Sequence, residues 1–141
     1  MTSATGSPAP RLVENLLDWQ GTWFVARLAL CSAYLLGGVV KLSDFSAAIA
    51  EQAHLGMPMP AIFAILTIGV ELVGPALILT DRLAWLGAGM LGLFTLLATL
   101  VANTFWTLGG PERFAATNAF FEHLGLVGGF VLVAMVSRRR A

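Results

Sequence analysis

Charge is scarce in this chain. Only 11% of its 141 residues are Asp, Glu, Lys or Arg, while 57% are hydrophobic. Soluble domains carry about 25% charged residues. The shortage excludes an ordinary soluble domain and points to an all-α membrane protein built as one compact bundle. The few charges cancel to a net of zero, which leaves no basic footprint for nucleic acid. Cys31 is the single cysteine, so an internal disulfide, a CxxC pair and a thiolate metal site are all excluded. With only His54 and His123, a bis-histidine haem would need a ligand from a loop, and no haem is expected. No Ser-His-Asp set, phosphate loop or metal signature is present. Residues 1–22 have one basic residue and no apolar run, so they do not read as a signal peptide.

What the chain does have is four apolar stretches, predicted as membrane helices over about 22–41, 60–79, 83–106 and 115–136. Pro60 suits the first position of the second helix. Thr80-Asp81-Arg82 is a very short turn, which makes spans two and three antiparallel neighbours. The fourth is the weakest, since Leu124–Val136 alone is too short for ~30 Å of hydrocarbon. Extending it back to Ala115 takes in Glu122 and His123, and Pro111 is placed to start the helix outside the membrane. Residues 1–22 read as a polar N-terminus containing a short interfacial helix, because Leu12, Val13, Leu16 and Leu17 recur at helical spacing. Residues 137–141 form a basic tail. Arg11, Arg82, Arg138, Arg139 and Arg140 fall on one side of the spans, and Lys41 and Arg113 on the other. By the excess of basic residues in cytoplasmic loops, both termini are expected to be cytoplasmic.

Small residues mark faces where membrane helices can approach closely. Ala29, Ala33 and Gly37 form such a stripe in span one, Ala88 and Gly92 in span three, and Gly125 and Gly129 in span four. Tight packing within the chain and a dimer face both remain open readings of these stripes.

Polar residues at depth carry more information. Glu71 is the only charged residue between Ala61 and Leu79. An ionised carboxylate there costs at least ~2.5–3.5 kcal/mol, so it must find a partner or line a cavity. Pro75 follows four residues later; it has no N–H, so the Glu71 carbonyl loses its helical bond and a kink is expected. Arg27 lies at a comparable depth, ~7.5 Å from the end of span one against ~12 Å for Glu71. Arg27–Glu71 is therefore the expected ion pair. Such a pair can serve to fix helix register or to form a ligand or proton site. Arg27, Tyr34 and Lys41 are spaced by seven and share a face. Lys41 is expected to snorkel outward or to meet Glu122. Lys41, Asn103, Glu122 and His123 converge, on this reading, in an outer polar cluster. Asp44, Glu51 and His54 read as a solvated helix face.

The order of these features resembles the DoxX family of small bacterial membrane proteins. Arg27 leading into Gly37-Gly38 and Lys41-Leu42, then Gly56-Met57-Pro58, Glu71-Leu72-Val73-Gly74, Phe105-Trp106, and Phe121-Glu122-His123-Leu124 with Gly128-Gly129 match its segments in sequence. Two positions depart. Asn103 stands where the family often has histidine, and Glu122-His123 where it often has Lys-Asn. If residues 103 and 123 touch, the polar pair is kept with its members exchanged. The resemblance implies a four-transmembrane-helix bundle in the bacterial inner membrane. It also implies relatives linked to thiosulfate:quinone oxidoreduction or redox-stress complexes, beside many without an established activity.

Three functions follow as expectations. The first is a subunit that anchors or completes a membrane oxidoreductase and helps form a quinone site from Arg27, Tyr34, Glu71 and Trp106. Such a site needs a few placed polar groups in an apolar cleft, and electrons would come from a partner subunit. The second is a structural or assembly subunit. The third is a small transporter or proton pathway, which four short helices would support only as an oligomer. On all three, membrane lipid is a partner, the quinone is the one cofactor expected, and an accessory role is preferred to catalysis by this chain alone.

Overall fold

The computed structural model describes residues 9–140; the first eight residues of the polar N-terminal segment and Ala141 of the basic tail lie outside the described residues. Every regular element among the described residues is helical. Helices α1 (Arg11–Asp18), α2 (Gln20–Ser43), α3 (Phe45–His54), α4 (Pro60–Leu79), α5 (Ala84–Ala102) and α6 (Gly110–Arg140) follow in order, with a short 3-10 turn at Phe105–Thr107. Four of them, α2, α4, α5 and α6, are long and apolar enough to cross a membrane.

Local chemistry sets the boundaries. Asp44 caps α3, accepting from the Ala47 amide at 3.0 Å and the Ser46 hydroxyl at 2.8 Å. Gly56, at φ +75°, takes the left-handed conformation that ends α3. Met59 turns the chain at φ +50°, and Pro60 opens α4. The helix then runs through Pro75, which is buried. The α4–α5 turn holds Asp81 and Leu83 at positive φ, +57° and +54°. Helix α5 stops at Ala102, short of the expected 106, and Phe105 and Trp106 lie in the turn that follows. Helix α6, with 31 residues, extends past the expected span at both ends.

Packing runs in sequence order. The buried residues of α4 are Ala64, Thr67, Ile68, Glu71, Gly74, Pro75 and Ile78, which form one helical face. The face of α2 that turns inward carries Arg27, Cys31, Tyr34 and Gly38, while Ala29 and Ala33 of the expected stripe are exposed. At Gly87 a Cβ would lie 2.5 Å from the Gly74 carbonyl, so α4 and α5 approach backbone to backbone. Helix α6 rests mainly on α5. Phe130 is its largest buried side chain, set edge-on to Tyr34 with ring centroids 5.4 Å apart. Gly129 meets Leu30 of α2, but Gly125 faces open space, so the GxxxG pair is not a packing face within this chain.

Helix α1 buries nothing, and Leu12, Leu16 and Leu17 are exposed. An amphipathic helix left uncovered in this way suits a membrane surface.

Candidate functional site

The chain has one lysine, and its placement corrects the pairing expected from depth alone. Lys41 does not snorkel outward. Its Nζ donates to both Glu71 carboxylate oxygens at 3.2 Å. The lysine and glutamate side chains are 16% and 9% exposed. Gly37 makes room for them: a Cβ there would sit 3.3 Å from a Glu71 oxygen.

Arg27 is paired elsewhere. Its Nη1 donates to the Ile78 carbonyl at 2.5 Å and to the Asp81 carboxylate, and its Nε donates to the Trp23 carbonyl at 3.3 Å. The guanidinium also lies over the Trp23 ring, 4.8 Å from the centroid. Helical rise explains the exchange of partners. Fourteen residues separate Arg27 from Lys41, or ~21 Å; ten separate Glu71 from Asp81, or ~15 Å. With Arg27 level with Asp81, the remaining ~6 Å falls within reach of the lysine's four-carbon stem.

Around the Lys41–Glu71 pair lies a cleft of about 470 Å³, bounded by α2, α3, α4, α5 and α6. Tyr34, Glu51, Gln52, Thr67, Thr95 and His123 join Lys41 and Glu71 in its wall; Glu51, expected on a solvated helix face, is exposed but also borders the cleft. Phe63, Val70, Phe94 and Leu126 make the rest largely apolar. Leu66 of α4 and Leu97 of α5 also line it, and each is more than half exposed. The cleft therefore opens sideways, between α4 and α5. Its mouth lies ~9 Å along α4 from Pro60 and ~7.5 Å along α5 from Ala102, inside the length that crosses the membrane.

Hydrogen-bond accounting shows which groups remain available. Thr95 spends its one proton on the Leu91 carbonyl at 2.7 Å. Tyr34 must therefore donate to Thr95 across their 2.5 Å contact, which leaves the phenol oxygen as an acceptor. Lys41 has three N–H groups and uses two of them on Glu71. Asn103 Nδ2 lies 3.0 Å from Thr99 Oγ1 and 3.2 Å from His123 Nδ1. With the amide donating to both, the imidazole proton sits on Nε2. Gln52 is buried on α3, yet among the described residues its side-chain amide makes no hydrogen bond. Lys41, Gln52 and His123 thus leave unused donors in the cleft, and the Tyr34 oxygen and the exposed Glu51 carboxylate leave unused acceptors.

The outer polar cluster expected from the sequence is divided. His123 shares the cleft with Lys41, and Asn103 supports His123 from behind; the exchanged positions 103 and 123 do touch. Glu122 is exposed and takes no part. Trp106 is also exposed, set edge-on to Phe105 and Phe120 and away from the cleft, and Arg27 does not line it. Sequence reasoning missed Gln52 and Asp81. Gln52 could have been found as the one long polar side chain four residues after Ala48 on the inward face of α3. Asp81 carried no signal beyond its place in a turn.

The DoxX family model matches residues 22–104, more than half of the chain. The chain belongs to the DoxX family. The match takes in Arg27, Tyr34, Lys41, Gln52, Glu71 and Thr95, so most of the cleft lies within it. The chain is also similar to the inner membrane protein YphA of Escherichia coli strain K12, with 24% identity over 111 residues and 79% of each chain covered. No solved structure matches. With four apolar helices, this DoxX-family chain is a multi-pass protein of the bacterial inner membrane.

Proposed function

We propose that this chain is an accessory subunit of a membrane oxidoreductase and receives the headgroup of a quinone in the lateral cleft. The observation that carries the reading is the Gln52 amide, which lines the cleft without a hydrogen-bond partner among the described residues and is open to the cleft space, in the same wall as the spare N–H of Lys41. An amide open to the cleft can bond water or a ligand there, so the position offers a donor without strain on the fold. A quinone ring offers two carbonyl acceptors and an apolar face. Lys41, Gln52 and the His123 Nε2–H supply donors, and Phe63 and Phe94 supply apolar wall. The reduced quinol turns those carbonyls into hydroxyls, for which the Tyr34 oxygen and the Glu71 carboxylate are acceptors. An isoprenoid tail would leave through the side opening between Leu66 and Leu97 into lipid. Electrons come from a partner subunit.

A second reading has its own support. Among the described residues no fully buried side-chain nitrogen or oxygen lacks a partner, so the Lys41–Glu71 pair can close on itself and act as a structural clasp. Purification from native membrane into nanodiscs, followed by mass spectrometry of extracted quinones and copurified proteins, separates the two. Near-stoichiometric quinone, lost in Gln52→Leu without loss of folded protein, supports the site. A clean single chain with no quinone, and no quinone photolabel on α4 or α5, sinks it in favour of the clasp.

A further inference from the structure

A second hollow lies on the opposite side of α5. Between α5 and α6 runs an apolar groove of about 630 Å³, with Gly89, Gly92 and Leu93 on one wall and Val131 and Met135 on the other. Gly89 leaves its wall open: a Cβ there would touch nothing within 4 Å. From Val127 to Arg138, the limits of its α6 wall, is eleven residues, or ~16 Å. That is about half of the ~30 Å hydrocarbon thickness, the depth of one leaflet.

One end of the groove is basic. Arg138 and Arg139 close it, and Arg138 also lines an adjoining recess of about 980 Å³ with Gln20, Asp81, Ser137 and Arg140. The one carboxylate there, Asp81, is already engaged by Arg27. An acyl-chain-sized slot thus ends, at the depth where hydrocarbon meets headgroups, in arginines facing a polar recess. Basic pockets between membrane helices suit anionic headgroups, and each basic residue contributes about fivefold in affinity near such a surface.

We propose that the α5–α6 groove binds one anionic phospholipid, with an acyl chain along Gly89, Gly92 and Val131 and its phosphate at Arg138 and Arg139. The site is separate from the cleft, and the proposal stands whether or not the cleft takes a quinone. A zwitterionic lipid of the same chain length fills the groove equally well, but its own cation offsets the attraction to the arginines.

Native mass spectrometry of the protein released from nanodiscs of equal phosphatidylglycerol and phosphatidylethanolamine tests this. The expected result is one retained lipid per chain, predominantly phosphatidylglycerol. Arg138→Gln with Arg139→Gln should keep the lipid but lower the headgroup preference by about 25-fold, fivefold per arginine. Gly89→Leu, which adds bulk to open space, should remove both lipids while thermal unfolding stays close to the parent protein. Equal retention of the two lipids, or a preference unchanged by the double arginine variant, overturns the proposal. A homodimer that retains no lipid and dissociates in Gly89→Leu also overturns it, and assigns the groove to a second copy of the chain.

Discussion

Two ion pairs join α2 to the α4–α5 hairpin, at opposite ends of the bundle. Arg27–Asp81 sets a guanidinium that is 4% exposed against a carboxylate that is 60% exposed, and the guanidinium has the Ile78 and Trp23 carbonyls as well. Lys41–Glu71 sets two nearly buried groups against each other, beside a cleft. The first is a fastening at a water-facing turn, where an exposed carboxylate keeps its hydration whatever Arg27 does. The second holds charge at depth, where the two groups have little besides each other and the cleft. Similar residue types thus make a tolerant joint at one end and a site at the other. The difference lies in what surrounds the charges.

The largest test of this contrast removes one buried partner. Glu71→Ala leaves the Lys41 ammonium stranded and should cost ~3–5 kcal/mol, read as a loss of unfolding free energy in mild detergent. Replacing both groups, Lys41→Met with Glu71→Leu, should recover most of that stability because no charge remains buried. The double variant should still fail to retain quinone. If it retains quinone as well as the parent does, the pair is a clasp and the comparison between the two ends collapses.

Tyr34→Phe comes next. It deletes the hydrogen bond to Thr95 but leaves the ring edge-on to Phe130. Hydrogen bonds between membrane helices average ~0.6 kcal/mol and reach ~1.7. A loss of about 1 kcal/mol is expected in the same unfolding assay. A larger loss would mean that the α2–α5 contact, rather than the ion pair, organises the cleft. Asp81→Asn at the other end should cost about 1 kcal/mol or less, because the exposed Asn amide oxygen can still accept from Arg27 and the guanidinium keeps the Ile78 and Trp23 carbonyls. A cost for Asp81→Asn that equals the cost for Glu71→Ala would make the two ends of the bundle alike.

These partners also mark how far the residues alone could be read. The four spans were legible because runs of apolar residues broken by Gly56-Met57-Pro58 and Thr80-Asp81-Arg82 leave little choice in a bilayer. That Glu71 needed a partner was legible from the cost of a lone carboxylate in lipid. Which partner it took was not. Arg27 and Lys41 share one face of α2, so azimuth could not separate them, and the level of each depended on how the α4–α5 turn seats Asp81. That seating relies on left-handed backbone at Asp81 and Leu83; aspartate favours that region more than most residues, but leucine does not announce it. Glu122 misled for its own reason: it lies one helical turn before Gly125, and Gly125 itself faces open space.

The smallest effect concerns α3, which lays Gln52 over the cleft. Its cap, Asp44, is fully solvent-facing, and the Ala47 amide and Ser46 hydroxyl beside it hold its carboxyl below the usual value of 3.8. A group with a depressed folded pKa stabilises fully above its unfolded pKa and loses that contribution as pH falls through the folded value. Hydrogen-exchange protection at the first-turn amides of α3, taken relative to the intrinsic rate at each pH, should therefore fall below about pH 4 and stay level above it. Asp44→Asn keeps a capping oxygen but cannot titrate, so its exchange should show no such step. If the acid step persists in Asp44→Asn, another group controls α3. The obvious candidate is then Glu71, whose protonation would release Lys41 and loosen the cleft beneath Gln52, so that the buried pair, and not the cap, would govern α3.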